Sequence, residues 1–404
     1  MKISFQLIAF VLVFYAGSFT RADEASSAHI TIETGTPLAT IQEAIDQVHA
    51  QGGGVVMLKS GEYTLDRELS FSGKQNVTLL GEDGAILKAA PQQMEVTSED
   101  AEIGATRLVL DKPTDISGGI QIEIHCPGRK VVPPNGKSFY APYVMAQVDH
   151  HDANILHLSK PLKYPVPKGS KMIAVFNGIV VKDEAKNILI QNVVIDMNRD
   201  AWPVVPKNHT FHCAIIAQGN YSYETGPTAP PVEGLRIVGC KIKNTHHRGI
   251  GFYSVIHSGV YESQIENTAA EGIDFDHFSY HCEAVGNTLA DCHNIELNDA
   301  SHCLVARNQI TRPAVGIVVW QYCNLPGLNE RNLILNNEII DSKSDGISLR
   351  QGSSHNTVQG NVVKNSAKTG ILVEGENNLI VRNIVSGSKN EEVMLRGKGN
   401  VHLP

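Results

Sequence analysis

Asp274, Asp276 and His277 lie within four residues of one another, and Glu296, Asn298 and Asp299 follow about one short repeat later. Residues at i and i+2 of an extended strand share a face. Asp274 and Asp276 therefore stand on one side of one strand, and Glu296 and Asn298 on one side of another. Carboxylates stacked at strand spacing repel, which costs stability unless a cation or a shared proton relieves them. Such a group suits three chemistries. Hard oxygens bind Ca²⁺, which takes about six to eight of them. A carboxyl pair can serve as general acid and base, and histidine, which ordinarily titrates near 6.5, moves protons at neutral pH.

Whether these side chains meet depends on the elements between them. Aligning Asn337, Asn361 and Asn383 gives spacings of 24 and 22 residues, with Gly346-Ile347 and Gly370-Ile371 nine residues after the first two. The frame runs upstream through Asn308, Asn287, Ser263, Cys240 and Asn192, with further Gly-Ile runs at Gly316, Gly272 and Gly249. Asn294-Ile295 takes that place between Gly272 and Gly316. Three residues before the Asn-type positions stand Leu189, Ile237, Val260, Ala284, Val305, Ile334, Val358 and Ile380, all apolar. A unit of about 23 residues with three short β-rich runs and no room for a helix predicts one turn of a parallel β-helix. In each Gly-Ile strand the Ile and the residue two later face the core, as in Ile250/Phe252 and Ile273/Phe275. The outward pairs are Gly251/Tyr253, Asp274/Asp276, Glu296/Asn298, Val318/Trp320, Ser348/Arg350 and Leu372/Glu374. This outward set does not recur, which marks the two coils bearing Asp274, Asp276 and Glu296 as the place for a site.

Residues that do recur read as ladders. His257, His281, His302 and His355 each fall six residues before an Asn-type position and form an outward row at a corner. Cys282 and Cys303 occupy the next position, filled elsewhere by Asn187, Ser258, Asn332, Asn356 and Asn378. Adjacent coils lie about 4.8 Å apart, so these two thiols stack and are close enough to pair. Asp149, His150, His151 and Asp152 resemble a metal cluster but sit between two strands, where Asp and His are ordinary turn residues.

The repeat resembles the right-handed parallel β-helix superfamily of pectate lyases, polygalacturonases and mannuronan C5-epimerases, over residues 179–399. That resemblance implies an all-β solenoid with an N-terminal capping helix. Thr40 and Glu43 form the pattern of a capping box, and Ile41, Ala44, Ile45 and Val48 share one helical face. Alternating runs separated by Pro and Gly turns predict an inserted antiparallel β module at 94–178. The expected organisation is a signal peptide at 1–22, the cap and first coils at 23–93, the insert, and the site-bearing coils at 179–404.

The resemblance also implies chemistry. Asp274 and Asp276 on one coil, with Glu296 and Asp299 on the next, resemble the calcium acids of pectate lyases. Gly272 to His277 resembles the Gly-x-Asp-Pro-His-Asp strand of mannuronan C5-epimerases. Asp274 matches the first Asp, Phe275 replaces the proline, and His277 is displaced by one residue from the family's His. The expected reaction is removal of the C5 proton of a uronic acid in an acidic polysaccharide, giving a lyase or an epimerase. Asp274, Asp276, His277 and Arg350 would be catalytic. Tyr253, His247, Arg248, Asn298, Trp320 and Tyr322 would bind substrate, and Asp274, Asp276, Glu296 and Asp299 would hold Ca²⁺. Long connections at 198–210, 219–234 and 321–330 would wall a groove. Two other readings stand beside this one. Carboxyls at i and i+2 are roughly 6.5–7 Å apart, within the range of an inverting glycoside hydrolase, although the Asn-Thr-Asp, Gly-His-Gly and Arg-Ile-Lys runs of polygalacturonases are absent from the coils. The second is a non-catalytic glycan-binding or structural rod.

Composition narrows the partners. In 404 residues, 34 Lys and Arg stand against 42 Asp and Glu, with no concentrated basic stripe, so nucleic acid is not expected as a partner. Lys2, the apolar run from Phe5 to Tyr15 and the small residues ending at Ala22 form the pattern of a secretory signal. The apolar run is shorter than the ~20 residues of a spanning helix. The expectation is a secreted or periplasmic monomer, free of the membrane once the signal is cleaved. Seven cysteines, an odd number, leave at least one thiol unpaired.

Overall fold

The computed structural model describes residues 28–126, 143–202 and 213–404. The signal sequence expected at 1–22 lies outside these residues, as does the 203–210 part of the first wall loop.

Short runs of alternating apolar residues stack turn on turn into three parallel sheets of twelve, ten and ten strands among the described residues. The chain is a parallel β-helix. The ten-stranded sheet that carries the acids runs from Leu69–Ser70 through Ile179–Lys182, Ile215–Gln218, Ile250–Tyr253, Ile273–Asp276, Ile295–Asn298 and Ile317–Trp320 to Val393–Leu395. Its register places Ile250, Ile273, Ile295 and Ile317 in one row and Phe252, Phe275, Leu297 and Val319 in another. Both rows are fully buried inside the coil. Gly251, Asp274, Glu296 and Val318 form the row between them, on the outer side.

Six strands between Glu95 and Val175 leave the solenoid as an antiparallel sheet with its own apolar core around Ile122, Ile124, Val148 and Leu156. Asp149, His150, His151 and Asp152, expected in a turn between strands, instead end the strand Tyr143–Asp152, and the exposed Asp149 and His150 pair at 2.8 Å beside a register shift between Val148 and His150.

Two asparagine ladders close the corners of the C-terminal coils. The Asn308 amide group donates to Asn337 Oδ1 at 2.9 Å, and the Asn337 amide group to Asn361 Oδ1 at 2.9 Å. Each Oδ1 also accepts the backbone N–H of the preceding Asn, at 3.0 and 2.9 Å. Asn356, Asn378 and Asn400 repeat the scheme. Every buried amide in these rows is thereby satisfied, which is why so polar a residue can stand inside the coil. The histidine row also holds: the His257 and His281 rings stack at 5.0 Å, and those of His281 and His302 lie 5.1 Å apart. All four corner histidines adopt positive φ.

Three local expectations change. The helix runs Leu38–Ala50 with Pro37 at its cap and no side-chain capping bond. Thr40 therefore lies inside the first turn, because a proline entering the helix already fixes the backbone there. The coil aligned on Asn192 is one residue out of frame: Val194 pairs with Lys241, so Val193 matches Cys240. By the same shift Ile188, not Asn187, belongs to the row of Ser258 and Cys282. Cys282 and Cys303 are both buried as free thiols.

Candidate functional site

The acid row lies on the outer side of its sheet, as the alternation requires, yet it is not solvated. Asp274 is 0% exposed, Asp276 3% and Glu296 8%. The cover begins with Gly251, next to Asp274 in the row. A Cβ there would stand 3.3 Å from Arg248 Cδ, so the missing side chain leaves the slot in which Arg248 crosses the sheet. Arg248 Nε lies 3.0 Å from Glu271 and pairs with Asp274, and Nη2 reaches Asp276 at 3.5 Å. Its guanidinium also lies over the Tyr253 ring at 5.5 Å. His247 turns its ring beside Arg248, 3.2 Å from Nη1, and beside the buried Cys213 thiol at 3.9 Å.

One guanidinium faces four carboxyl groups, and the excess negative charge is reflected in their protonation. Burial, then the neighbouring Asp276, holds Asp274 well above the usual carboxylate range despite Arg248. Asp276 is raised by burial, with His277 and Arg248 opposing. Burial and Glu271 push Glu296 up to about 7, against the Trp320 indole. For Arg248 burial opposes the charge, but Tyr253 and the carboxylates of Asp274, Glu271 and Asp276 outweigh it and hold the group cationic. Buried acids of this kind retain protons near neutrality and can donate them.

His277 is placed by an irregularity. Tyr253 pairs with Asp276, and Ile256 with Tyr280, so this coil has one residue more than its neighbour before the corner. The next coil returns to the shorter count, since Tyr280 bridges Ser301. The left-handed corner falls at Ser254 and at Asp299 on either side, but at Phe278 here, with φ 63°. An aromatic residue rarely adopts that conformation, and strain of this kind accumulates at functional sites. The extra residue places the His277 ring at the outer wall, between Asp276 and Asp299.

There Nδ1 of His277 meets Asp299 Oδ2 at 2.8 Å and Asp276 Oδ1 at 3.2 Å. Asp299, fully buried, also accepts the backbone N–H groups of Tyr322 and Cys323 at 2.9 Å and 2.9–3.0 Å. Four tyrosines surround the imidazole: Tyr223 edge-on at 4.9 Å, Tyr322 at 5.3 Å, Tyr221 at 5.6 Å and Tyr253 at 6.0 Å. Tyr221 and Tyr253 are kept protonated, their hydroxyls pushed far up chiefly by burial. Tyr223 and Tyr322, half exposed and 5.5 Å apart, form the rim, and Trp320 stands perpendicular to Tyr322 at 6.2 Å.

The structure thus unites Asp274, Asp276, His277, Glu296, Arg248, His247, Tyr253, Asn298, Trp320 and Tyr322. It separates two expected members. Arg350 is exposed two coils away, outside the acid network, and Arg248 stands where a cation was expected. Asp299 belongs to His277 rather than to the acids, so the four acids do not fit a calcium cage. Arg248 lies among Glu271, Asp274 and Asp276, and Asp299 stands apart from them against His277 and the backbone N–H groups of Tyr322 and Cys323. Tyr221, Tyr223, Glu271, Cys213 and Cys323 were not anticipated. Tyr221 and Tyr223 lie in the 219–234 connection, on a hairpin whose strands pair Tyr221 with Pro227. Two tyrosines spaced by one residue in a wall loop were the available signal.

A family model described as periplasmic copper-binding protein (NosD) matches residues 233–402. No curated protein sequence matches the chain. Among solved structures, a glycoside hydrolase aligns with TM-score 0.55 at 9% identity, over 93% of this chain and 96% of that one. The Dettilon tailspike protein aligns with TM-score 0.52 at 13% identity, over 92% and 66%. The A-module of the Azotobacter vinelandii mannuronan C-5 epimerase AlgE6 aligns with TM-score 0.50 at 17% identity, over 89% and 75%. These likenesses establish the shared β-helix fold.

Proposed function

We propose that the chain is an exported enzyme acting on an acidic polysaccharide by abstraction of the C5 proton of a uronic acid, as a lyase or a C5-epimerase. The observation that carries this is the Asp299–His277 pair set beneath a ring of tyrosines. Asp299 fixes the tautomer with the proton on Nδ1, which leaves the far ring nitrogen, Nε2, bare as a base. Nε2 takes the C5 proton, and the electron pair of that bond moves toward the adjacent carboxyl group. That group must be neutralised to accept it. Glu296, protonated up to about pH 7, offers a hydrogen bond to the substrate carboxylate.

In a lyase the pair then forms the C4–C5 double bond, the C4–O4 bond breaks, and a tyrosine hydroxyl protonates O4. In an epimerase the tyrosine returns a proton to C5 from the opposite face. Tyr223, Tyr322 and Trp320 offer flat surfaces to sugar rings. The epimerase among the structural neighbours, and the periplasmic location in the matched family's description, accord with this reading. Incubation with alginate, pectate and glycosaminoglycans tests it: unsaturated product marks a lyase, and deuterium uptake at C5 an epimerase. Neither signal on any of them would overturn the proposal.

The raised Glu296 carboxyl favours one second reading, an inverting hydrolase with Glu296 as general acid. New reducing ends without unsaturation or C5 exchange would establish it.

A further inference from the structure

The donors around His277 suggest a capability separate from proton transfer. Besides the two carboxylates, Nδ1 faces the Cys323 thiol at 3.9 Å. One ligand atom each from His277, Asp299 and Cys323 lies within 4.8 Å of the others, and all three residues are buried. They arrive from three separate places: the bulged corner, the next corner, and the loop after Trp320. A nitrogen, an oxygen and a thiolate are the ligand types of zinc, at about 2.0–2.1, 2.0–2.2 and 2.3 Å. A tetrahedron with those bonds sets its ligands about 3.3–3.8 Å apart. The sulfur–nitrogen separation is close to that already, and the Asp299–His277 contact has to widen by about half an ångström. A sulfur ligand disfavours Ca²⁺ and Mg²⁺, which take oxygen.

We propose that His277, Asp299 and Cys323 form a binding site for a thiophilic divalent cation of the Zn²⁺ class, with three protein ligands and one open position. The ion replaces the thiol proton of Cys323, which passes to solvent, and the Nδ1 proton of His277, which the ring keeps by moving it to Nε2. The neutral metal-bound imidazole carries its remaining proton on Nε2, the nitrogen that proton abstraction needs bare. The loaded protein therefore has no base there. Metal binding and C5 chemistry are mutually exclusive at this residue.

Co²⁺ titration of the metal-free protein is the direct test. The expected result is saturation at one equivalent with a near-ultraviolet thiolate charge-transfer band that Zn²⁺ displaces. Cys323→Ser removes the band and weakens Zn²⁺ binding at least tenfold, whereas Cys213→Ser, at the thiol beside His247, changes neither. Should Cys323→Ser fold poorly, X-ray absorption of Zn²⁺-loaded wild type decides, with one sulfur expected at about 2.3 Å. Absence of the band, a sulfur-free zinc environment, or undiminished binding by a folded Cys323→Ser protein would overturn the proposal. None of these readouts uses turnover. A protein that shows the band but acts on no polysaccharide would refute the proposed function and leave the metal site standing.

Discussion

The coils after residue 330 and the coils between 248 and 323 are built on one repeat and treat polar groups in opposite ways. In the C-terminal coils each buried amide meets an identical amide above and below, as Asn337 does between Asn308 and Asn361. In the site coils one of those rows is held by Ser258, Cys282 and Cys303 while Asn287 and Asn308 continue the other, and the outer side carries buried polar groups unlike one another and unequal in charge. One guanidinium among four carboxyls, and an imidazole on an added residue, cannot be propagated along a solenoid. Repeated polar groups in this chain hold the coil together, and those that break the repeat make up the candidate site.

The sharpest way to break the comparison is at its histidines. His277→Ala should lower turnover by about 10³-fold, within the usual contribution of general base catalysis. Asp299→Asn should lower it by about 10²-fold by losing control of the tautomer. His355→Ala, a ladder histidine, should leave kcat unchanged. Equal losses at His277 and His355 would show that position in the ladder carries no information about function.

The converse substitution is Asn356→Leu. It removes the acceptor used by the Asn332 N–H and the donor to the Asn329 carbonyl, and should cost about 2–4 kcal/mol in denaturant unfolding with kcat unaffected. A loss of activity without loss of stability would contradict the structural role.

A third test uses pH. The folded-state pKa of Glu296 is raised from 4.5 to about 7, so the stability this group contributes is complete below the unfolded value and lost as pH rises through about 7. The difference is on the order of 3 kcal/mol, and Glu296→Gln should flatten the pH dependence of the unfolding midpoint over that window. An unchanged slope would mean that the carboxyl titrates as an ordinary acid.

The smallest effect is expected at the histidine row. Burial, then His257 and His302, depress His281, so its contribution is present above the unfolded pKa and falls as pH drops through the folded one. His281→Asn, which suits the left-handed corner, should slightly reduce acid sensitivity, as read from melting temperature.

The period of the repeat made the solenoid, the inward rows and the meeting of Asp274 with Glu296 legible, because each follows from a spacing and a two-residue alternation. Burial of the acids was not legible, since it depends on Arg248 lying in the space left by Gly251 and on loops whose course no local pattern specifies. Arg350 shares the outward face that pattern alone identifies, but a cation two coils away cannot neutralise a buried carboxylate as Arg248 does. The displaced position of His277 is legible in the spacing alone. Phe275 to Tyr280 takes one residue more than Phe252 to Ile256, and an added residue at a strand end changes which way a side chain turns.

That added residue has a genetic consequence. It is enclosed by corners that keep their own stacking, so losing a single codon at Phe278 would let the turn close on the shorter count without disturbing its neighbours. The rod would keep its length and its stacked edges, and the imidazole would leave its place between Asp276 and Asp299. On such a scaffold, one inserted triplet can reset where a side chain stands, independently of the shape that carries it.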